Sequence, residues 1–474
     1  MTENPDKSSN SDKSSFVVVA NRLAVDRVTD EAGNESWRTS PGGLVTALEP
    51  VMRQQEGAWV GWAGQTEEEI APFDHDGMHL VPVRLTDDEV ELYYEGFSNG
   101  TLWPLYHDSV AFPHYHRHWW QAYREVNRKF AAAAAEAAAP DATVWVQDYQ
   151  LQLVPQYLRE LRPDLTIGFF LHIPFPPHEL FSQLPWRTEI VTGLLGADLI
   201  GFQTPGGATN FLRLVRRYLK RPTKGDIIGL PDGRYARARA YPISIDAQGF
   251  ADLAASDEAV EFAANFREEL GNPKRIFLGV DRLDYTKGLR HRIRAFGELF
   301  DSGDLDPAED VFVQVASPSR EDVEEYIKLR DEIELMVGRI NGDASVIGRP
   351  PIVYLHSSYP RVAMAAMYSV ADVMVVTPLR DGMNLVCKEY VACRPDASGA
   401  LVLSEFAGAA TELKQAYMVN PYDLDGMKAT ILNARNAKPQ ELRRRMTGLQ
   451  KQVFENDIDR WANRFLTDLA GTDE

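Results

Sequence analysis

A chain of 474 residues exceeds what one hydrophobic core usually organises, so two or three domains are expected. With 44% hydrophobic and 25% charged residues the composition is that of a soluble globular protein, and the longest apolar runs are far too short to span a bilayer. A formal net charge of -19 repels a phosphate backbone and disfavours nucleic acid as a partner.

The opening residues, MTENPDKSSNSDKSS, are polar and lack the apolar core of a secretory signal, so 1–15 read as a disordered tail. Next come strand-like runs: FVVVA (16–20), WVGWAG (59–64), MHLVPV (78–83), TVWVQ (143–147), TIGFFLH (166–172) and DLIGF (198–202). GGLVTALEPVMRQQ (42–55) and VPQYLREL (154–161) are candidate helices between them, and the alanine tract at 131–139 predicts a helix ended by Pro140. A second series follows: RIFLGVDRL (275–283), VFVQVA (311–316), PIVYLH (351–356), DVMVVTPL (372–379) and GALVLSEF (399–406). Strand and helix alternation predicts parallel sheets, and two series predict two doubly wound α/β domains with a ligand cleft between them. YPISIDAQGF (241–250) marks the boundary, giving domains 16–240 and 241–455, and ENDIDRWANRFLTDLA (455–470) has helical periodicity, so 456–474 is set apart as a final helix. Cys387 and Cys393 are the only cysteines, and six residues apart on a predicted helix they face different ways. Two buried thiols, not a disulfide, are expected, which suits a reducing cytoplasm.

Against this acidic background VDRLDYTKGLRHRIRAF (280–296) gathers Arg282, Lys287, Arg290, Arg292 and Arg294. FLGVDRLDYTKG leaves a strand and GLRHRIRAFGELF has helical spacing, so the loop lies at a strand's carboxyl end and a helix N-terminus. Arg282 and Lys287 are therefore expected to bind phosphate, while Arg290, Arg292 and Arg294 read as a solvated helix face. A second such loop, TPLRDGMNLVCKEYVAC, puts Asp381 and Gly382 at the turn, the amides of Met383, Asn384, Leu385 and Val386 at a helix start, and Glu389 two turns on. Asp381 suits sugar hydroxyls and Glu389 a ribose diol, but Asp381 as a simple helix cap stays equally open. Arg22 ends the first strand, and Gly42 with Gly43 precede a helix, where paired glycines admit a ligand close to the backbone. The aromatic residues between 93 and 120 read mostly as core. His114, His116 and His118 alternate without the accompanying ligands of a metal site, so no metal is expected.

Taken in order, VVVANRL, SPGGL, GWAG, YYEGFSNGTLWPL, DYQLQLVP, FFLHIPFP, LIGFQT, RLDYTKG, SPSR, GRINGD, TPLRDGMNLVCKEYV and LSEFAGAA resemble glycosyltransferase family 20, the family of trehalose-6-phosphate synthases, from about residue 16 to 465. The resemblance implies a GT-B fold: two Rossmann-like doubly wound domains, an interdomain active-site cleft and a C-terminal helix returning to the first domain. It implies Arg282 and Lys287 on the donor diphosphate, Glu389 on ribose, Asp381 with amides from Gly382 to Val386 on donor glucose, and His172 near its 6-hydroxyl. On the acceptor side it implies Arg22 and Arg320 on a phosphate with Tyr94 and Trp103 beside them, Asp148 on a hydroxyl, and Gly43 and Trp62 approaching donor and acceptor. Gln147 and Gln150 flank Asp148 where the family often has histidine, which alters local hydrogen bonds more than acceptor binding.

The implied reaction is retaining transfer of glucose from a nucleotide glucose to glucose 6-phosphate, with no cofactor, through front-face displacement. Arg282, Lys287, Asp381, His172 and Asp148 would be the catalytic set. UDP-glucose is the default donor, with ADP- or GDP-glucose open, as is assembly into identical subunits. The rivals are a glucosylglycerol-phosphate synthase of the same family and a non-catalytic sugar-phosphate sensor.

Overall fold

The computed structural model describes residues 13–29, 33–40, 45, 48, 51–53, 57–320, 323–344, 346 and 348–471. It divides into two units, Met1–Tyr241 with Ala462–Glu474, and Pro242–Trp461. In the first, the strands are β1 (Ser14–Arg22), β2 (Val25–Thr29), β3 (Glu35–Thr39), β4 (Ala58–Trp62), β5 (Phe73–His75), β6 (Met78–Pro82), β7 (Ala138–Gln147), β8 (Thr166–Leu171), β9 (Leu199–Phe202), β10 (Thr223–Lys224), β11 (Ile227–Gly229) and β12 (Tyr235–Ala240). Ten of them form one sheet in the order β10-β11-β12-β9-β8-β7-β1-β4-β6-β5. Its strands are parallel except for the β10-β11-β12 hairpins and β5 on β6. Covered on both faces, the central strands read as continuous apolar runs, as FVVVA does.

The chain leaves β1 through β4 to β6 and returns on the other side of β1 as β7. That reversal is a topological switch point, where strand carboxyl ends leave a crevice. Arg22 and Trp62 end β1 and β4, while Asp148 and His172 follow β7 and β8.

Three local expectations change. Ser14 and Ser15, assigned above to the tail, open β1, where Ser14 pairs with Ala138 and is buried; residues 1–12 lie outside the described residues. The alanine-rich helix α1 (Arg117–Ala137) stops three residues before Pro140. Steric conflict with a proline ring drives the preceding residue out of the helical region, and Ala138 already belongs to β7. The hairpin strand YARARA, alternating small and charged residues, was not anticipated.

The second unit has β13 (Arg275–Arg282), β14 (Asp310–Ser317), β15 (Ile352–Leu355), β16 (Val373–Val376), β17 (Ala400–Ser404) and β18 (Tyr417–Val419), all parallel in the order β15-β14-β13-β16-β17-β18. This is the Rossmann-type arrangement, with its switch point between β13 and β16. Its helices include α2 (Leu289–Asp301), α3 (Glu324–Ala344), α4 (Val386–Ala392) and α5 (Ile458–Leu469). α5 starts in this unit and ends in the first, where Phe465 stacks on Trp145 at 4.4 Å between centroids.

Arg292, read above as part of a solvated face, is fully buried. It pairs with buried Asp281 at 2.8 Å and donates to Thr377 Oγ1 (3.1 Å) and to the carbonyls of Val375 (2.8 Å) and Lys287 (3.0 Å). It thus straps α2 to the end of β16 and to the turn carrying Lys287. Arg290 and Arg294 do lie at the surface, bonded to Glu332 and Glu298. Burial pushes the Asp281 carboxyl up and Arg292 opposes that rise. Arg292→Met would leave Asp281 buried without its cation, costing about 3–5 kcal/mol in denaturant unfolding, partly recovered in Asp281→Asn/Arg292→Met. A single variant as stable as the parent would contradict this role.

Candidate active site

In the first unit two clusters stand at the strand ends. Arg22, 47% exposed, reaches from β1 toward Asp26 (3.1 Å) and lies over the Trp62 ring at 5.0 Å. Gly64 makes room for it: φ there is 96°, and a Cβ would collide with the Arg22 guanidinium. Trp62 is buried, its Nε1 donating to the Gln65 carbonyl at 2.7 Å, and Tyr94 packs 6.3 Å from it. Arg22, Trp62 and Tyr94 therefore form one basic and aromatic patch. Trp103 is buried between His107 and Tyr149, at 4.2 and 5.6 Å between centroids.

Asp148 and His172 form the second cluster. Asp148 has φ 70°, uncommon outside glycine and often a mark of a functional position. Its Oδ1 accepts from the His172 N–H at 3.0 Å, so β7 and β8 together aim the carboxylate. The His172 ring bonds Gln147 Oε1 through Nε2 at 2.9 Å. Burial pushes its pKa down to about 3, so the ring is neutral near pH 7. Gln147, noted above as a departure, is thus the side chain that orients His172. Gly43 lies outside the described residues.

In the second unit Arg282 ends β13, exposed, and Lys287 follows in a single 3-10 turn, Tyr285–Lys287. Lys287 Nζ pairs with Asp381 Oδ2 at 2.6 Å, both side chains about nine-tenths buried (12% and 11% exposed), and Asn384 Nδ2 donates to the same oxygen at 3.2 Å. The sequence left open whether Asp381 caps the helix that follows. It does not: α4 begins at Val386, and the side chain bonding its first turn is Asn384, whose Oδ1 accepts from the Cys387 N–H at 3.2 Å. Gly382, Met383 and Asn384 are buried, and Leu385 and Val386 half-buried, in the turn into α4. Glu389 stands on α4, accepts from the Tyr368 hydroxyl at 2.9 Å, and has its carboxyl pushed up by burial.

Arg320 follows β14 with φ 51° and a side chain only 7% exposed. It faces Asp284, which sequence reasoning missed; the one available signal was a cap-like Asp two residues before Thr286 in RLDYTKG. Cys387 and Cys393 are buried free thiols. Among the described residues, no group of three His, Cys, Asp or Glu could hold a metal ion, and no helix is long and apolar enough to cross a membrane.

The model of glycosyltransferase family 20 matches residues 14–471. A trehalose-6-phosphate synthase of Mycolicibacterium gilvum is 57% identical over 472 residues, covering 97% of this chain and 94% of that protein. A crystal structure of an α,α-trehalose-phosphate synthase (UDP-forming) from Burkholderia xenovorans, in complex with glucose-6-phosphate, matches with TM-score 0.88 and 34% identity over 96% of this chain and 99% of that one. An E. coli trehalose-6-phosphate structure bound with UDP-2-fluoro glucose gives TM-score 0.87 and 33% identity over 96% and 98%. With a family model spanning nearly its whole length and a relative more than half identical, this chain belongs to glycosyltransferase family 20.

Proposed function

We propose that this chain is an α,α-trehalose-phosphate synthase, transferring glucose from UDP-glucose to glucose 6-phosphate with retention and releasing UDP. The observation that carries this reading is the cation set at the strand ends of each unit, Arg282 and Lys287 in one and Arg22 in the other, joined to full-length similarity to trehalose-6-phosphate synthases. A relative bound with UDP-2-fluoro glucose favours uridine as the donor's base, and one bound with glucose-6-phosphate favours that acceptor over glycerol 3-phosphate.

The second unit takes the donor. Arg282 and Lys287 meet the diphosphate, with the first turn of α2, which no side chain caps, adding the positive end of a helix dipole. Lys287, which pairs with Asp381 at 2.6 Å, offers its charge to the phosphate, and Asp381 its carboxylate to the glucose hydroxyls, beside amides from Gly382 to Val386. Glu389 takes the ribose. For the acceptor, Arg22 and Arg320 are the proposed phosphate ligands and Asp148 a hydroxyl ligand, with Trp62, Tyr94 and Trp103 as sugar-facing residues.

Neutral His172 can hydrogen-bond the donor's 6-hydroxyl without adding a charge beside a sugar that becomes cationic. As the glycosidic bond breaks, negative charge grows on the leaving phosphate, where Lys287 and Arg282 stabilise it. The same phosphate oxygen accepts the proton of the incoming anomeric hydroxyl, and no side chain has to act as nucleophile. Rate then comes from holding both substrates in register and from fixed charge.

Purified protein given UDP-glucose should release UDP and form a disaccharide phosphate with glucose 6-phosphate but not with glycerol 3-phosphate. Product only with glycerol 3-phosphate would favour the same-family rival, and no product from any nucleotide glucose would favour a sensor. Lys287→Ala should lower kcat roughly 100- to 1,000-fold by removing charge from the leaving group; near-normal turnover would refute its role. His172 titrates near 6.5 when unfolded and near 3 when folded, so the unfolded chain binds the proton first and stability falls as pH drops below about 6.5. His172→Asn should therefore lose less melting temperature than the parent between pH 7 and 4.5, and equal losses would contradict a buried neutral ring.

A further inference from the structure

Asp284 has no exposed surface, and the reaction as described gives it no task. Its Oδ1 accepts from the Thr286 N–H (2.9 Å) and hydroxyl (2.8 Å), closing the turn Tyr285–Lys287, while the Lys287 N–H returns to the Asp284 carbonyl at 3.0 Å. Its Oδ2 accepts from the Tyr326 hydroxyl on α3 at 3.0 Å and lies 3.5 Å from Arg320 Nη1. Arg320 Nη1 also donates to the Tyr326 hydroxyl, and its guanidinium lies 5.4 Å from that ring's centroid. One carboxylate thus joins the loop after β13 to the loop after β14. Burial disfavours its charge, but Arg320, then Arg282 and Lys287, more than offset that and hold the carboxyl at about 2, ionised at any working pH.

We propose that Asp284 is a positioning residue of the transfer reaction, one oxygen holding the turn that carries Lys287 and the other aiming the Arg320 guanidinium, so that the acceptor-phosphate ligand is preformed. This rests on the reading of Arg320 as a ligand of that phosphate. An arginine with φ 51°, nearly enclosed, would otherwise have to be ordered when the acceptor binds, and ordering costs affinity. Held in advance by a carboxylate, a hydroxyl and a ring, it presents its fork to phosphate with less to lose.

Asp284→Asn keeps an oxygen for the Thr286 N–H while removing the charge that faces Arg320. It should raise KM for glucose 6-phosphate about tenfold, with kcat and KM for UDP-glucose changed less than about threefold. Arg320→Ala should raise the same KM, and adding Asp284→Asn to it should do little more, because the two act as one unit. An Asp284→Asn enzyme with parental KM for glucose 6-phosphate, with both KM values raised alike, or with effects that multiply those of Arg320→Ala would overturn the proposal. Should Asp284→Asn not fold, Tyr326→Phe, which removes the shared hydroxyl, should still raise that KM several-fold, and a parental value would overturn it equally. Failure of the underlying reading is distinguishable: the parental protein would make no disaccharide phosphate, or Arg320→Ala would leave its KM unmoved.

Discussion

Two carboxylates shut away from water beside β13 determine what each neighbouring cation is for. An ionised carboxylate in a protein interior is tolerated only when a cation and hydrogen bonds compensate it. Asp281 takes Arg292 and Asp284 takes Arg320, each within a few ångströms. The five basic residues between 280 and 296 therefore divide. Arg292 is committed to the interior and Arg290 and Arg294 to surface carboxylates, while Arg282 stands exposed at the strand end and Lys287, in the turn that follows, pairs with Asp381. A chain with net charge -19 thus keeps a small positive locus whose shape is set from beneath.

The first unit solves a similar problem with less charge. Arg22 is held by an aromatic face and by the space that Gly64 leaves. Asp148 adopts a left-handed φ and is steadied by the backbone N–H of His172, just past the next strand, and a buried amide orients His172. In both units these side chains stand on the carboxyl ends of neighbouring strands or on the loops that leave them. Rigid elements position them, which is what a reaction relying on alignment and fixed charge requires.

Much of this was legible in the sequence, for identifiable reasons. Strands buried on both faces show as apolar runs, so FVVVA, VFVQVA and DVMVVTPL located the two sheets, and Arg282, Lys287 and Asp381 could be placed at strand ends because each sits at the end of such a run or just past it. What escaped depends on contacts distant in sequence. Arg292 has polar neighbours and helical spacing, and nothing local reveals that Gly279, opposite on β13, leaves the space its guanidinium fills. Asp284 looks like an ordinary turn residue until Arg320 and Tyr326 are brought to it from 36 and 42 residues away. YARARA hides as a strand because a half-exposed strand alternates small and charged residues instead of repeating apolar ones. Asp381 and Asn384 are three residues apart, both able to cap, and tertiary contact with Lys287 separated them.

The central claim is that protein cations, oriented by buried carboxylates, supply the positive charge for the donor diphosphate. UDP binding by calorimetry to the full-length protein after treatment with a chelator tests it most directly. Binding that is intact without divalent cation, little changed by added magnesium and strongly weakened in Lys287→Ala is the predicted result. Binding that appears only when magnesium is restored, or that is indifferent to Lys287, would contradict the account.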